Sequence, residues 1–224
     1  MKVSILQFPG TNCEYDTKYA FEMLGAQTQI VWHKATSIPE DTSLLVVAGG
    51  FSYGDYLRSG AIAKFSPVMQ AVKEYAAKGG KILGICNGFQ VLTEAGLLPG
   101  ALKRNESLHF LSKHHHLKVE NNDNVFLTKL AKGDVVNIPI AHHDGNYYID
   151  EAGLAELYAN NQVLLKYCDA EGAMKNPNGS VDAIAGVCNK EKTVFGLMPH
   201  PERAMEALLG SNDGVKMLQG FLEA

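Results

Sequence analysis

A chain of 224 residues that is 46% hydrophobic and 20% charged has ordinary globular proportions, and the length suits one α/β domain or at most two small ones. A formal net charge of -4 gives no basis for binding nucleic acid or an anionic membrane. No apolar run is long enough to cross a bilayer, and the short one at the start breaks at Pro9-Gly10, which argues against a signal peptide. The four cysteines, Cys13, Cys86, Cys168 and Cys188, form no C-x-x-C pair and no zinc-type spacing. Reduced thiols and a cytoplasmic location are expected.

Residues 2–8 read as a first strand and residues 9–12 as a turn. Asn12 is placed to cap a helix running to about Leu24, with Tyr15, Tyr19, Ala20, Met23 and Leu24 as its apolar face and Gly25 as its stop. Residues 28–32 and 44–48 are short, aliphatic or β-branched strands of the kind that fill a parallel sheet. Next comes Gly49-Gly50-Phe51-Ser52-Tyr53-Gly54-Asp55. It can be read as a phosphate cradle, although no Lys-Ser/Thr follows, or as a plain turn. Its place after a strand favours a third reading: open α/β sheets set their sites at strand C-termini, where glycine lets backbone N–H groups approach a ligand. Residues 61–77 read as a helix interrupted near Pro67 and stopped by Gly79-Gly80.

Residues 81–94, KILGICNGFQVLTE, are the stretch on which the rest is organised. An apolar strand ends at Cys86, an amphipathic helix starts near Asn87, and Gly84 and Gly88 flank the corner. This is the cysteine form of the G-x-S-x-G nucleophile elbow, whose turn is strained and whose neighbours approach too closely for Cβ atoms. A sulfur at a helix N-terminus is favoured as thiolate. The alternative is a small buried core cysteine.

After Gly96 the pattern changes. Residues 108–119, 135–140 and 147–149 look like shorter, more polar strands. The run His114-His115-His116 invites a metal, but without a carboxylate or cysteine beside it a solvated strand edge is the better reading. His142-His143-Asp144 either faces the site or is a polar turn. Residues 153–160 contain a short helix, 163–167, 181–187 and 194–197 read as strands, and 176–180 as a hairpin turn. Ser211 is placed to cap a closing helix bearing Val215, Leu218, Phe221 and Leu222. No linker is evident, so residues 1–224 are expected to form one domain.

Met198-Pro199-His200-Pro201-Glu202-Arg203 follows the last strand. Two prolines are expected to hold it extended, so that His200 and Glu202 project from one side and the carboxylate orients the imidazole. A structural turn is the alternative when the segment is taken alone. Taken with the elbow and the glycine loop, it supplies a base for Cys86. The N–H groups of Gly50 and Asn87 are the expected oxyanion donors, and the chemistry is acyl transfer through a thioester released by water.

These residues resemble the class I, triad-type glutamine amidotransferases. Gly84-Ile85-Cys86-Asn87-Gly88-Phe89-Gln90 and Pro-His-Pro-Glu match that family's two best signatures. Phe8 to Glu14, Gly49 to Ala63 (GGFSYGDYLRSGAIA), Arg104 to Ser107 and Ile138 to His142 are similar to its small glutaminase subunits of de novo purine synthesis. The resemblance implies a flavodoxin-like α/β fold with a mostly parallel central sheet, helices on both faces and a smaller peripheral sheet. It implies that Cys86 attacks the side-chain amide of L-glutamine. Ammonia then goes to a separate synthetase subunit, which makes formylglycinamidine ribonucleotide from formylglycinamide ribonucleotide. ATP and magnesium belong to that partner, no metal or cofactor to this chain, and a small third subunit bridges the two. Gln90 matches the position that helps hold the amino-acid end of glutamine. One departure stands out: His142-His143-Asp144-Gly145 occupies a place that usually reads His-Gly-Glu-Gly. A peptidase or deglycase on a similar sheet, or a silent regulatory relative, are the competing readings. Asn87 after the cysteine, where such hydrolases often carry histidine, and the intact Cys86, His200 and Glu202 weigh against both.

Overall fold

The computed structural model describes residues 1–222. In chain order the elements are β1 (Lys2–Gln7), α1 (Glu14–Met23), β2 (Gln27–Trp32), β3 (Leu44–Val47), α2 (Val68–Ala77), β4 (Lys81–Ile85), α3 (Asn87–Glu94), β5 (Ala101–Lys103) and β6 (Leu111–Val119). They continue with β7 (Val135–His142), β8 (Asn146–Tyr148), α4 (Glu151–Ala159), β9 (Val163–Cys168), β10 (Ile184–Cys188), β11 (Val194–Leu197) and α5 (Asp213–Leu222).

Nine strands make one sheet in the order β2-β1-β3-β4-β11-β10-β9-β6-β7, and β5 and β8 pair separately. From β2 to β11 all neighbours run parallel; from β11 onward they alternate in direction. The expected α/β sheet with a parallel centre and a small second sheet therefore forms. β3 and β4 are buried along their length except for Lys81, as aliphatic strands covered on both faces must be. The chain moves one way from β1 to β2 and the other way from β3 to β4, so right-handed crossovers put α1 and α2 on opposite faces. β7 buries every second residue, as a one-faced edge strand does, and so tolerates Pro139.

Several boundaries differ from the sequence expectation for local reasons. Asn12 does not cap α1: Cys13 occupies the N-cap, and the Asn12 side-chain oxygen instead accepts from the Cys13 thiol at 3.1 Å. Pro67 divides residues 61–77 into a 3₁₀ turn, Ala63–Phe65, and α2. The strand expected at 181–187 begins as a 3₁₀ turn, because Asp182 and Ala183 hold positive φ angles of 48° and 54°. α4 starts before Gly153, where Asp150 caps it by accepting from the Gly153 N–H at 2.8 Å. No helix among the described residues is long and apolar enough to cross a membrane.

Candidate active site

β4 and β11 lie side by side in the centre of the sheet, with Leu197 opposite Ile85. The residues just past both strands therefore emerge together. Cys86 turns the corner into α3 with φ 51° and ψ −107°, a conformation a side chain adopts only where its surroundings enforce it. A Cβ at Gly88 would stand 1.8 Å from the Val47 carbonyl oxygen, and one at Gly84 would stand 2.9 Å from the Gly88 backbone. Both glycines are thus required by close approach. Asn87 opens the helix, and the first N–H groups of a helix have no intrahelical acceptor.

The glycine loop closes over the elbow. Gly50 holds φ +142° and pairs with Thr11, and a Cβ there would meet the Asn12 nitrogen at 2.6 Å. A Cβ at Gly49 would stand 3.0 Å from the His200 ring, 3.2 Å from the Cys13 sulfur and 3.4 Å from Cys86 Cβ. Gly49, passed over in favour of Gly50 in the sequence reading, is the residue that leaves room for the reacting groups. The Asn87 side chain fastens this loop to the elbow: its oxygen accepts from the Ser52 N–H at 3.0 Å, and its amide donates to Gln90 Oε1 at 2.8 Å and Asp55 Oδ1 at 3.3 Å.

His200 and Glu202 do come together, by a route other than the extended chain expected. Pro201–Arg203 is a single 3₁₀ turn, which folds Glu202 back so that His200 Nδ1 donates to its Oε1 at 2.6 Å. Both side chains are buried, and the His200 N–H is anchored on the Pro139 carbonyl of β7 at 2.8 Å. Burial alone would lower the imidazole's pKa. The Glu202 carboxylate and the Cys86 sulfur, with smaller contributions from hydrogen bonding to the Cys13 and Cys86 thiols, raise it well above the ordinary histidine value. Nε2 and the second Glu202 oxygen have no aligned hydrogen-bond partner. Nδ1 is therefore the fixed N–H and Nε2 the working nitrogen.

Cys86, His200, Gly50, Phe51, Ala141 and Phe110 line one cavity of about 80 Å³ together with Asn12, Cys13 and Arg203. A roomier cleft of about 660 Å³ lies at the opposite end of the strands, against Thr193 and Val194, and contains no nucleophile–base pair. The Cys86 thiol points at the Ala141 carbonyl, 3.6 Å away.

The remaining expected residues stand behind this cavity. Gln90 is buried and donates to the Asp144 carbonyl at 2.7 Å, so both ends of its amide are engaged by the chain. His142 is buried, and its Nδ1 meets Asn105 Oδ1 at 3.1 Å while its Nε2 has no partner. Burial first, and then the nearby His200 charge, push its pKa down to about 4. Asn105, which carried no role in the sequence reading, ties the 142–145 turn together through the carbonyl of His142 and the N–H of Gly145. His143 fits this turn with ordinary backbone, so a glycine is not needed there for its φ. Asp144 accepts from Ser59 at 2.7 Å.

Cys13 was also unassigned. Its sulfur accepts from Arg203 Nη2 at 3.2 Å, and its ligand atom and those of His200 and Glu202 lie within 4.8 Å of one another. No spacing rule links position 13 to positions 86 and 200; only the fold does. Among the described residues this is the one group that could hold a metal ion, and the histidine run at 114–116 is not such a group. The run lies on β6, an inner strand between β9 and β7 rather than a sheet edge, and His115 is buried with Nε2 on the Lys175 carbonyl at 2.9 Å.

An elbow cysteine facing a buried His–Glu pair across one cavity, at the strand ends of a sheet of this topology, is the arrangement of the α/β proteins that carry a cysteine–histidine site. The CobB/CobQ-like glutamine amidotransferase domain matches residues 1–216, and the chain belongs to that family. It is 80% identical over 224 residues to phosphoribosylformylglycinamidine synthase subunit PurQ of Sulfurimonas denitrificans, covering 100% of both chains. It is 62% identical to the PurQ subunit of Wolinella succinogenes, covering 99% of each. A chain in the structure of PurLQS from Thermotoga maritima superposes with a TM-score of 0.89 at 42% identity, covering 99% of this chain and 97% of that one.

Proposed function

We propose that this chain, acting as one glutaminase domain in the cytoplasm, is the ammonia-producing subunit of phosphoribosylformylglycinamidine synthase in purine biosynthesis. The observation that carries the chemistry is the shared cavity: Cys86, His200 and Gly50 face the same space, with Glu202 fixed behind the imidazole. The relatives carry the substrate and the complex, since they are named as subunits of that synthase. Four free cysteines suit a reducing compartment.

The Cys86 sulfur attacks the side-chain carbonyl carbon of glutamine. The oxygen becomes an oxyanion between the N–H groups of Gly50 and Asn87, each such donor being worth ~10²–10³ in rate. His200 Nε2 takes the Cys86 thiol proton as the sulfur attacks and passes it to the leaving nitrogen, so that ammonia departs and a thioester remains. A water gives its proton to His200 and attacks the thioester, returning glutamate and the thiol. Gln90 reaches the amino-acid end of glutamine if its bond to the Asp144 carbonyl is exchanged for one to the substrate, and His142 lies close behind. Ammonia goes to a synthetase subunit that holds ATP and magnesium, with a small bridging subunit completing the complex.

The test is mass spectrometry after treatment with an electrophilic glutamine analogue, with and without the synthetase subunit. Label on Cys86, lost when excess glutamine competes, is expected. Cys86→Ala should abolish glutamine-dependent ammonia release, and His200→Ala should slow thioester formation ~10²–10⁴-fold. Label on any other residue, or full activity in Cys86→Ala, overturns the assignment.

A further inference from the structure

We propose that the active-site thiols form an inhibitory site for a soft metal ion, Zn²⁺ foremost, with Cys13, Cys86 and His200 as ligands and Glu202 as the carboxylate that orients the histidine. The glutaminase reaction needs one thiol, and the cavity holds two. Cys13 and Cys86 both line it, and both sulfurs lie close enough to act on the His200 ring. Gly49 shows how little separates them: one added methyl group there would touch Cys86, Cys13 and His200 together.

The donor set is what a zinc ion requires. Two thiolates and one imidazole leave a fourth tetrahedral position for water, and soft sulfur ligands select zinc and copper(I) over magnesium or calcium. His200 is already arranged as a metal-binding histidine is. Its Nδ1–H is committed to a buried carboxylate, and its other nitrogen, buried and without an aligned partner, faces the cavity. Tetrahedral zinc at its usual bond lengths sets neighbouring ligand atoms roughly 3.5 Å apart. The Cys13, His200 and Glu202 ligand atoms already lie within 4.8 Å of one another, and Cys86 lines the same cavity beside them. Arg203, donating to the Cys13 sulfur at 3.2 Å, opposes a dication. Asp16, bonded to its Nε at 2.9 Å, offsets that charge. Binding releases the thiol protons and takes the nucleophile's lone pair into the metal bond, so catalysis stops until a chelator removes the ion.

The site rests on the chain's own geometry, and its test reads the metal rather than ammonia. Cobalt(II), a spectroscopic substitute for zinc, is titrated into the intact chain after treatment with a thiol reductant and chelator. One ion per chain with a thiolate-to-cobalt absorption band is expected, displaced by zinc. Cys13→Ala and Cys86→Ala should each weaken zinc binding at least tenfold and reduce the band. Cys13→Ser serves as the second variant should alanine fail to fold. Glu202→Gln should weaken binding about 10–100-fold, as loss of a carboxylate behind a metal-bound histidine does. The proposal is overturned if no stoichiometric binding occurs at micromolar metal. It is equally overturned if binding survives the Cys13 variants, or if it is lost in His114→Ala/His116→Ala and not in them.

Discussion

Burial, with the neighbouring His200 charge, pushes the His142 imidazole down to about 4 from its ordinary 6.5. Burial, with the Asp144 charge and against hydrogen bonds from Ser59 and Asn87, pushes the Asp55 carboxyl up to about 6 from 3.8. The two act on stability with opposite sign. Between 6.5 and about 4 the unfolded chain binds a proton at His142 that the folded chain refuses, so stability is lost as pH falls through that window. Between 3.8 and about 6 the folded chain keeps a proton on Asp55 that the unfolded chain releases, so stability is lost as pH rises through that window. The His142 contribution alone amounts to roughly 3 kcal/mol across its full range. The wild-type profile mixes the two, so single variants must separate them. His142→Gln should lose less stability between pH 7 and 4.5 than wild type, and Asp55→Asn should lose more, as read by calorimetric melts. Parallel profiles for wild type and His142→Gln would show that the imidazole titrates normally in the folded chain.

Elements, rather than residues, determine how much of this protein can be read from its sequence. The elbow was legible because strand, corner and helix are contiguous, and because two glycines at fixed spacing mark where backbones must touch. Gly88→Ala tests that reading. It forces a Cβ to within 1.8 Å of the Val47 carbonyl oxygen, and overpacking of this kind costs about 1–3 kcal/mol or more. Gly25→Ala meets nothing within 4 Å and bears only the left-handed φ of +84°, about 1–2 kcal/mol. Side-by-side melts should therefore find Gly88→Ala the less stable variant, with its glutaminase activity abolished. A milder Gly88→Ala would mean that α3 can lift away from β3 at little cost. The His200–Glu202 pairing was legible as a pair but not as a geometry, since its contact comes from a 3₁₀ turn that two prolines did not reveal. Strand β5 was missed because three residues, of which only Leu102 is partly buried on one face, carry no period. Cys13 and Asn105 were illegible as site residues because the neighbours that bring them there are dozens of positions away, and no local pattern encodes that.

At the scale of the whole molecule, the site lies on the seam between two halves of one sheet. The parallel half supplies Cys86 and the glycine loop. The antiparallel half supplies Ala141 at the end of β7, with Phe110 just ahead of β6. Phe51 and Phe110 face each other across the mouth with ring centroids 6.5 Å apart, each about half exposed. Both line the cavity of about 80 Å³. Half exposed and lining it, the two rings form its rim. Glutamine enters past this rim, and an arrangement with the rings further apart admits it more readily. A partner that holds them apart raises the population of that arrangement, and the apparent affinity for glutamine rises with that fraction. Phe110→Ala removes one side of the rim. It should raise kcat/KM for glutamine several-fold in the isolated chain, mostly through KM, and shrink the further gain obtained on adding the synthetase subunit. Steady-state ammonia release, measured for both proteins with and without that subunit, reads both effects. A Phe110→Ala chain that is slower alone, yet stimulated as strongly as wild type, would place the constriction elsewhere than between these rings.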